Sequence, residues 1–232
     1  MPLLMPLLER TRAPVTLLET PVTTRFRLTY TGEERSTEVL ATADPWRLED
    51  LRAAAVDTTW IHVASLLRGD FPAGLLRQLV AEGHVVSFDG QGLVRRRSRG
   101  PLMLDDAYER DTLEALRVLK LAEEEAQVFA GTPPDPERLL SLGVPEVVVT
   151  FGGRGCDVYV DGRREHVAAK RVGAVHPTGA GDIFMVAYVS ERAADARPVE
   201  SAQRAAEVVA RALEERRRHS VATAQSETPG AQ

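Results

Sequence analysis

The chain predicts an α/β fold: a mostly parallel sheet flanked by helices, with a small β hairpin set apart from it. Three observations carry that prediction. Short apolar runs of strand length alternate with stretches of helical apolar spacing over most of the 232 residues. Two segments near the start instead alternate apolar and polar residues, the pattern of strands with one wet face. A turn of small residues, Thr178-Gly179-Ala180-Gly181-Asp182, then leads into the apolar run Ile183-Phe184-Met185-Val186-Ala187-Tyr188-Val189. That is a helix entered through glycines.

Composition narrows the class. This length can bury a sizeable core as one large domain. A net charge of -5 argues against nucleic acid, whose binding domains are usually basic. The single cysteine, Cys156, excludes an internal disulfide, fits a reducing compartment and reads as a small hydrophobe after a turn. The five histidines are scattered without metal-ligand spacing. No apolar run reaches membrane-spanning length. The apolar opening Met1–Leu8 contains two prolines and lacks a basic lead, so it makes a poor signal peptide. These readings point to a cytoplasmic protein with no membrane and no nucleic-acid partner.

In chain order, residues 1–14 are irregular and Val15–Leu18 is a short apolar strand. Phe26, Leu28 and Tyr30 alternate with Arg25, Arg27 and Thr29; Thr31–Glu34 turns, and Ser36–Ala41 returns as a partner strand. Pro45–Ala54 is a helix capped by Asp44, with proline in its first turn. Trp60–Ala64 is a buried strand. Phe71–Glu82 carries Leu75, Leu76, Leu79 and Val80 at helical spacing, ended by Gly83. Val85–Asp89 is a strand running into Gly90-Gln91-Gly92-Leu93-Val94-Arg95, a place where open α/β sheets bind ligands. The basic run Arg95–Arg99 reads as a solvated loop.

Leu116–Leu121 is a strand, and Glu123-Glu124-Glu125-Ala126 begins a helix. Asp135–Leu142 is a short helix. Pro145–Phe151 is a strand leading into Gly152-Gly153-Arg154-Gly155. Cys156–Val160 follows as another strand, and Asp161-Gly162 is a type I′ hairpin signal. A helix runs from Asp182 to Ala194. A second carries Val199, Ala202, Ala206, Val209 and Leu213 on one stripe. From about residue 216 the apolar period ends, and 216–232 reads as a disordered tail.

The turn at 178–182 carries the chemistry. Side-chain-poor residues let backbone N–H groups approach a large anion, and they lie at the positive end of a helix macrodipole. A carboxylate beside a phosphate site repels the ligand unless it has another task; taking a proton from an attacking hydroxyl is such a task. On spacing alone, an Asp182 N-cap following an ordinary tight turn is an equal reading.

Thr178-Gly179-Ala180-Gly181-Asp182, after strands and before an apolar helix, resembles the signature of the ribokinase-like (PfkB) carbohydrate kinases. The resemblance implies a ribokinase-like fold, with residues 15–215 as the kinase domain and about 22–41 as lid strands. It implies an ATP-dependent phosphotransferase acting on a hydroxyl of a small sugar or polyol. Gly179, Ala180 and Gly181 would form the anion hole and Asp182 the catalytic base, with Asp182 also touching substrate. Val147–Gly155 is similar to the segment that lines the ATP phosphates and ribose, so Thr150, Gly152, Gly155 and Thr178 inherit cofactor binding. The loop between the last two helices borders the adenine in this family.

Ala43-Asp44-Pro45 together with Asp89–Arg95 resembles a polyol-kinase branch that includes myo-inositol kinases. Thr23, Thr24, Arg25 and Asp89 are then substrate-binding candidates, although an edge hairpin with solvated arginines explains Arg25 equally. The family's Lys-Pro-Asn-x-x-Glu segment corresponds to Lys120-Leu121-Ala122 and Glu125, which gives Glu125 a Mg²⁺ role; first-turn acids are also explained by the macrodipole alone. His176 stands two residues before Thr178, where the family often has an acid near a monovalent-cation site. Lid strands pair between subunits in some family members, so the resemblance allows a homodimer through them, while the sequence itself gives no oligomeric state.

Family members open with a sheet strand, a substrate-binding aspartate and a Gly-Gly motif, and this sequence contains no such segment ahead of the hairpin. Two explanations stand: a start that is truncated, or a degenerate member that binds nucleotide or sugar without turnover.

Overall fold

A strand's backbone N–H and C=O groups need a partner along its edge, and the first two strands find it in each other. β1 (Arg25–Thr31) and β2 (Glu34–Ala41) pair antiparallel, with Phe26 opposite Val39 and Leu28 opposite Thr37. The computed structural model describes residues 14–32, 34–53, 57–175 and 177–226. Val15–Leu18, expected as a strand, is not one. Val15 and Leu17 are 44% and 45% exposed, and an apolar tetrad without a ladder partner has nothing to hold it extended.

α1 (Leu48–Ala53) starts later than the expected Pro45, with the Arg47 N–H taken by the Asp50 carboxylate at 2.8 Å, while the expected last residue, Ala54, lies outside the described residues. Asp44 therefore does not cap it. β3 (Trp60–Val63), α2 (Ala73–Ala81) and β4 (Val85–Asp89) form a β-α-β unit with parallel strands. α3 (Gln91–Val94) is a single turn after β4. β5 (Gly100–Pro101) then returns to β2 and makes a three-stranded second sheet, a strand too short to read in the sequence.

The basic run before β5 is not simply a solvated loop. Arg97 reaches Asp70 at 2.5 Å and also donates to the Ala43 carbonyl. This guanidinium therefore ties the chain just after β2 to the loop that precedes α2.

α4 (Arg110–Glu114) leads to β6 (Val118–Ala122), α5 (Glu123–Ala130), α6 (Pro136–Leu140) and β7 (Glu146–Thr150). A 3₁₀ turn at Gly152–Arg154 introduces β8 (Cys156–Val160) and β9 (Arg163–Val167). The main sheet has the order β3-β4-β6-β7-β8-β9, parallel from β3 to β7 and antiparallel beyond. The Asp161-Gly162 hairpin has both φ values positive, 50° and 71°, as a type I′ turn requires.

α7 (Ala180–Ala193) and α8 (Pro198–Ser226) cover one face of this sheet. α2, α5 and α6 cover the other. The period of two along each strand decides which residue meets which layer. On β6, Leu119 and Leu121 join the α2/α5/α6 core while Val118 joins the α7/α8 core. On β7, Val147 and Val149 face the first core and Val148 the second. A leucine buried in this way is worth roughly 1.5–3 kcal/mol.

α8 continues to Ser226, so residues 216–226, expected as the start of a disordered tail, are helical, and only 227–232 of that tail lie outside the described residues. Glu214 and Arg217 form an i,i+3 pair at 3.1 Å, and a run of good helix formers prolongs the helix after the apolar stripe has stopped. Residues 1–13, His176 and residues 227–232 lie outside the described residues.

Candidate active site

The same alternation places a polar row on the α7 side of the sheet. If Ile61, Val86, Phe88, Leu119 and Leu121 face away, then His62, Ser87, Asp89 and Lys120 face α7. Register puts His62 opposite Ser87 and Asp89 opposite Lys120. Ser87 Oγ lies 3.2 Å from the Ile61 carbonyl oxygen and 3.0 Å from Nδ1 of His62, which fixes the imidazole against the neighbouring strand. Burial holds the His62 pKa below its ordinary value; Asp89 and Asp182 pull upward, and Lys120 pushes down with burial.

Lys120 Nζ donates to Asp89 Oδ1 at 3.0 Å, and both side chains are buried. Burial works against its charge, but Asp89, Glu125 and Asp182 outweigh burial and raise the Lys120 pKa. Glu125 caps its own helix by accepting the Ala122 N–H at 2.8 Å, and its other oxygen lies 3.6 Å from the Arg95 guanidinium. Burial pushes its carboxyl above the ordinary range, more than Lys120 and Arg95 pull it down.

Above this row sits the entry to α7. Gly179 occupies the N-cap with φ 79°, ψ 2°, a left-handed conformation that favours glycine. The Ala180 amide donates to the Pro177 carbonyl at 2.9 Å, while those of Gly181 and Asp182 lie in the first turn, where a helix supplies no acceptor. Asp182 is the third helical residue rather than the N-cap, and its side chain is exposed. Arg216, reaching back from α8, donates to the Thr178 carbonyl at 2.6 Å.

A cavity of about 550 Å³ opens beside this turn, with Thr150, Gly155, Ala180, Phe184, Val209 and Leu213 among its walls. Gly155 is essential to that wall: its φ is 100°, and an added Cβ would stand 2.1 Å from the Val167 carbonyl oxygen. Cys156 is buried behind the same wall, and burial pushes its thiol up to about 12.

Thr150, Gly152, Gly155, Ala180 and Gly181 thus share one cavity; Thr178, Gly179 and Asp182 belong to the same turn but are not among its walls. Asp89 and Glu125 lie under the turn, within electrostatic reach of Lys120. Arg25 is exposed at the start of β1 and makes no hydrogen bond or ion pair among the described residues. Lys120 and His62 were not singled out as site residues by the sequence reading. Their signal is a charged or polar residue inside an otherwise apolar parallel strand.

Glycines 90 and 92 of the Asp89–Arg95 segment have packing reasons of their own. A Cβ on Gly90 would meet Leu121 Cδ2 at 2.3 Å, and one on Gly92 would meet Ser65 Cβ at 2.3 Å.

No group of three or more His, Cys, Asp or Glu among the described residues could cage a metal. Glu125 has one oxygen on a backbone amide and the other beside a guanidinium. Among the described residues no helix is long and apolar enough to cross a membrane.

Comparison with known proteins follows this geometry. The family profile described as pfkB family carbohydrate kinase matches residues 47–220. Inositol 3-kinase of Zea mays is 32% identical over 110 residues, 47% of this chain and 26% of that protein. Ribokinase of Staphylococcus aureus (strain COL) is 28% identical over 92 residues, 36% of this chain and 30% of that protein. The matches thus span only about a quarter to a third of these curated relatives. A solved pyrophosphate-dependent kinase of the ribokinase family, complexed with a pyrophosphate analog and myo-inositol, superposes with TM-score 0.74. Its sequence identity is 26%, over 84% of this chain and 70% of that one. Arabidopsis thaliana ribokinase complexed with ribose and ATP shares the fold at TM-score 0.63 and 18% identity, over 83% and 63% of the two chains.

Proposed function

This chain belongs to the pfkB family of carbohydrate kinases, and from that premise we propose that it transfers the γ-phosphoryl of ATP to a hydroxyl of a small sugar or polyol. The observation that carries the reading is the exposed Asp182 carboxylate in the first turn of α7, next in the chain to Ala180 and Gly181 of the cavity wall. In this mechanism the substrate oxygen attacks the γ-phosphorus and Asp182 accepts its proton. An O–P bond forms, the bond to the bridging oxygen breaks, and ADP leaves with that electron pair. The amides of Gly181 and Asp182 stabilise charge on the phosphoryl oxygens without having to reorganise. Mg²⁺, contacted by Glu125 through water, would neutralise charge on the donor phosphates.

The apolar cavity supports a nucleoside triphosphate as donor, because Phe184, Val209 and Leu213 offer a face for a purine ring. Pyrophosphate is the rival donor, motivated by the 26% identical pyrophosphate-dependent neighbour; it would leave that apolar wall without a ligand. For the acceptor, the relatives named for inositol and ribose nominate myo-inositol and ribose first. The experiment is ADP release from Mg²⁺-ATP, and phosphate release from pyrophosphate, against myo-inositol, ribose, fructose and nucleosides. ADP release with one acceptor supports the reading. ATP binding without turnover on any acceptor would move it to a nucleotide-binding role.

A homodimer through the lid belongs to the same proposal, since β1 leaves Leu28 exposed on the face it shares with Phe26. Sedimentation of wild type against Leu28→Glu tests it, and an unchanged monomer in both removes it.

A further inference from the structure

Among 29 basic side chains only two are lysines, Lys120 and Lys170. Lys170 is an exposed partner of Glu207 at 3.4 Å. Lys120 is buried in the middle of Val118-Leu119-Lys120-Leu121-Ala122, where a leucine or valine would be the ordinary choice. An ammonium is expensive to bury unless it is well satisfied. This one carries three protons and makes a single hydrogen bond among the described residues, to Asp89. Two donors are left over.

Their surroundings say where they point. A Cβ on Gly181 would lie 3.3 Å from Lys120 Nζ and 3.7 Å from its Cε, with nothing else within 4 Å. Gly181 is in ordinary helical conformation, so its backbone does not demand glycine. The missing side chain lets the ammonium stand directly behind the first turn of α7. Around it lie three carboxylates, those of Asp89, Glu125 and Asp182. Two guanidiniums stand near them: Arg95 is 3.6 Å from Glu125, and Arg216 donates to the Thr178 carbonyl, with its Nη2 3.7 Å and Asp182 Oδ2 3.9 Å from where a Cβ on Gly179 would stand. Without Lys120, a phosphate at this turn would meet a net negative wall. A compact, strongly hydrated point charge fits so narrow a gap better than a planar guanidinium.

We propose that Lys120, held by Asp89, is the fixed cation behind the anion-binding turn, a positioning residue that acts through Gly181 on the phosphoryl group carried there. The proposal rests on the phosphotransfer reading for its ligand, and its test separates the two. Inorganic pyrophosphate is the probe, titrated calorimetrically into wild type, Lys120→Met, Lys120→Arg and the double variant Lys120→Met/Asp89→Leu. Dissociation constants should rise about tenfold or more in Lys120→Met and in the double variant. Lys120→Arg should recover part of the loss. Where phosphotransfer is measurable, kcat should fall with the same variants while the acceptor KM changes less in Lys120→Met.

The double variant removes both charges and orphans neither, so it remains informative if Lys120→Met fails to fold. On wild type itself, ε-¹⁵N-lysine labelling gives only two ammonium signals, and pyrophosphate should shift that of Lys120 and leave that of Lys170 in place. A folded double variant that binds pyrophosphate within twofold of wild type overturns the proposal. So does a wild type that binds none, or an unmoved Lys120 signal at saturation. Lysine-dependent binding without transfer to any acceptor would sink the kinase reading and leave this assignment standing.

Discussion

Two buried ionic clusters lie at opposite ends of the same sheet, and they are built to different standards. At the amino end of β7, Glu146 is fully buried and saturated. It accepts from Tyr188 at 2.9 Å, from Arg192 at 2.7 and 2.9 Å, and from Arg117 at 3.2 Å. At the carboxyl ends of β4 and β6, Asp89 and Lys120 share one hydrogen bond, Glu125 is held above its ordinary pKa mainly by burial, and Asp182 is open to solvent. Burial without saturation is costly, so it persists where a ligand completes it. The first cluster holds the fold together. The second is arranged for something that comes and goes.

Substitutions can break that contrast, and the largest effect belongs to the open cluster. Asp182→Asn should lower phosphotransfer by roughly 10²–10⁴ while the melting temperature stays within about 2 °C, read by coupled ADP assay and calorimetry. A variant that retains most of the rate removes Asp182 as the base. Glu146→Ala should do the reverse, costing about 3–5 kcal/mol in urea unfolding because Arg192 and Tyr188 lose their acceptor in the interior. Activity per folded molecule should then be little changed.

A smaller effect sharpens the boundary between the clusters. Gly181→Ala pushes a methyl against Lys120 Nζ and should cost about 1–3 kcal/mol, with weaker donor binding seen in KM for ATP. The smallest concerns pH. His62 is held neutral, its folded pKa below the ordinary 6.5, so the unfolded chain takes up the proton first as pH falls through 6.5. His62 therefore contributes stability above that pH and loses it below, at no more than about 1.4 kcal/mol per pH unit. Glu125 acts with opposite sign at lower pH, since a raised carboxyl pKa favours the folded chain on protonation. Urea midpoints between pH 7.5 and 5.5 should decline in wild type and flatten in His62→Asn.

The fold was legible where period and burial agree. Val85–Asp89 and Cys156–Val160 read as strands to the residue, because apolar runs bounded by turn residues have one comfortable conformation. Val15–Leu18 and the start of α1 did not, since both depend on partners that no local pattern encodes. Gly100–Pro101 is a strand through its pairing with β2 alone. At the site, the turn at Gly179–Asp182 and the strand-loop at Thr150–Gly155 were legible because their glycines are forced by backbone geometry and close approach. The Asp89–Lys120 pair was not, as 31 residues separate its members and only register brings them together. Arg216 is a similar case: its role depends on how far α8 continues beyond its apolar stripe.

The solitary thiol has a practical use. Cys156 is sealed at 2% exposure and reluctant to ionise, which leaves it deaf to maleimides and nitroxide reagents in the folded protein. A reporter introduced through Thr29→Cys on β1 could therefore be attached at one place without silencing anything else, and followed by fluorescence or spin resonance while each proposed acceptor and donor is added in either order.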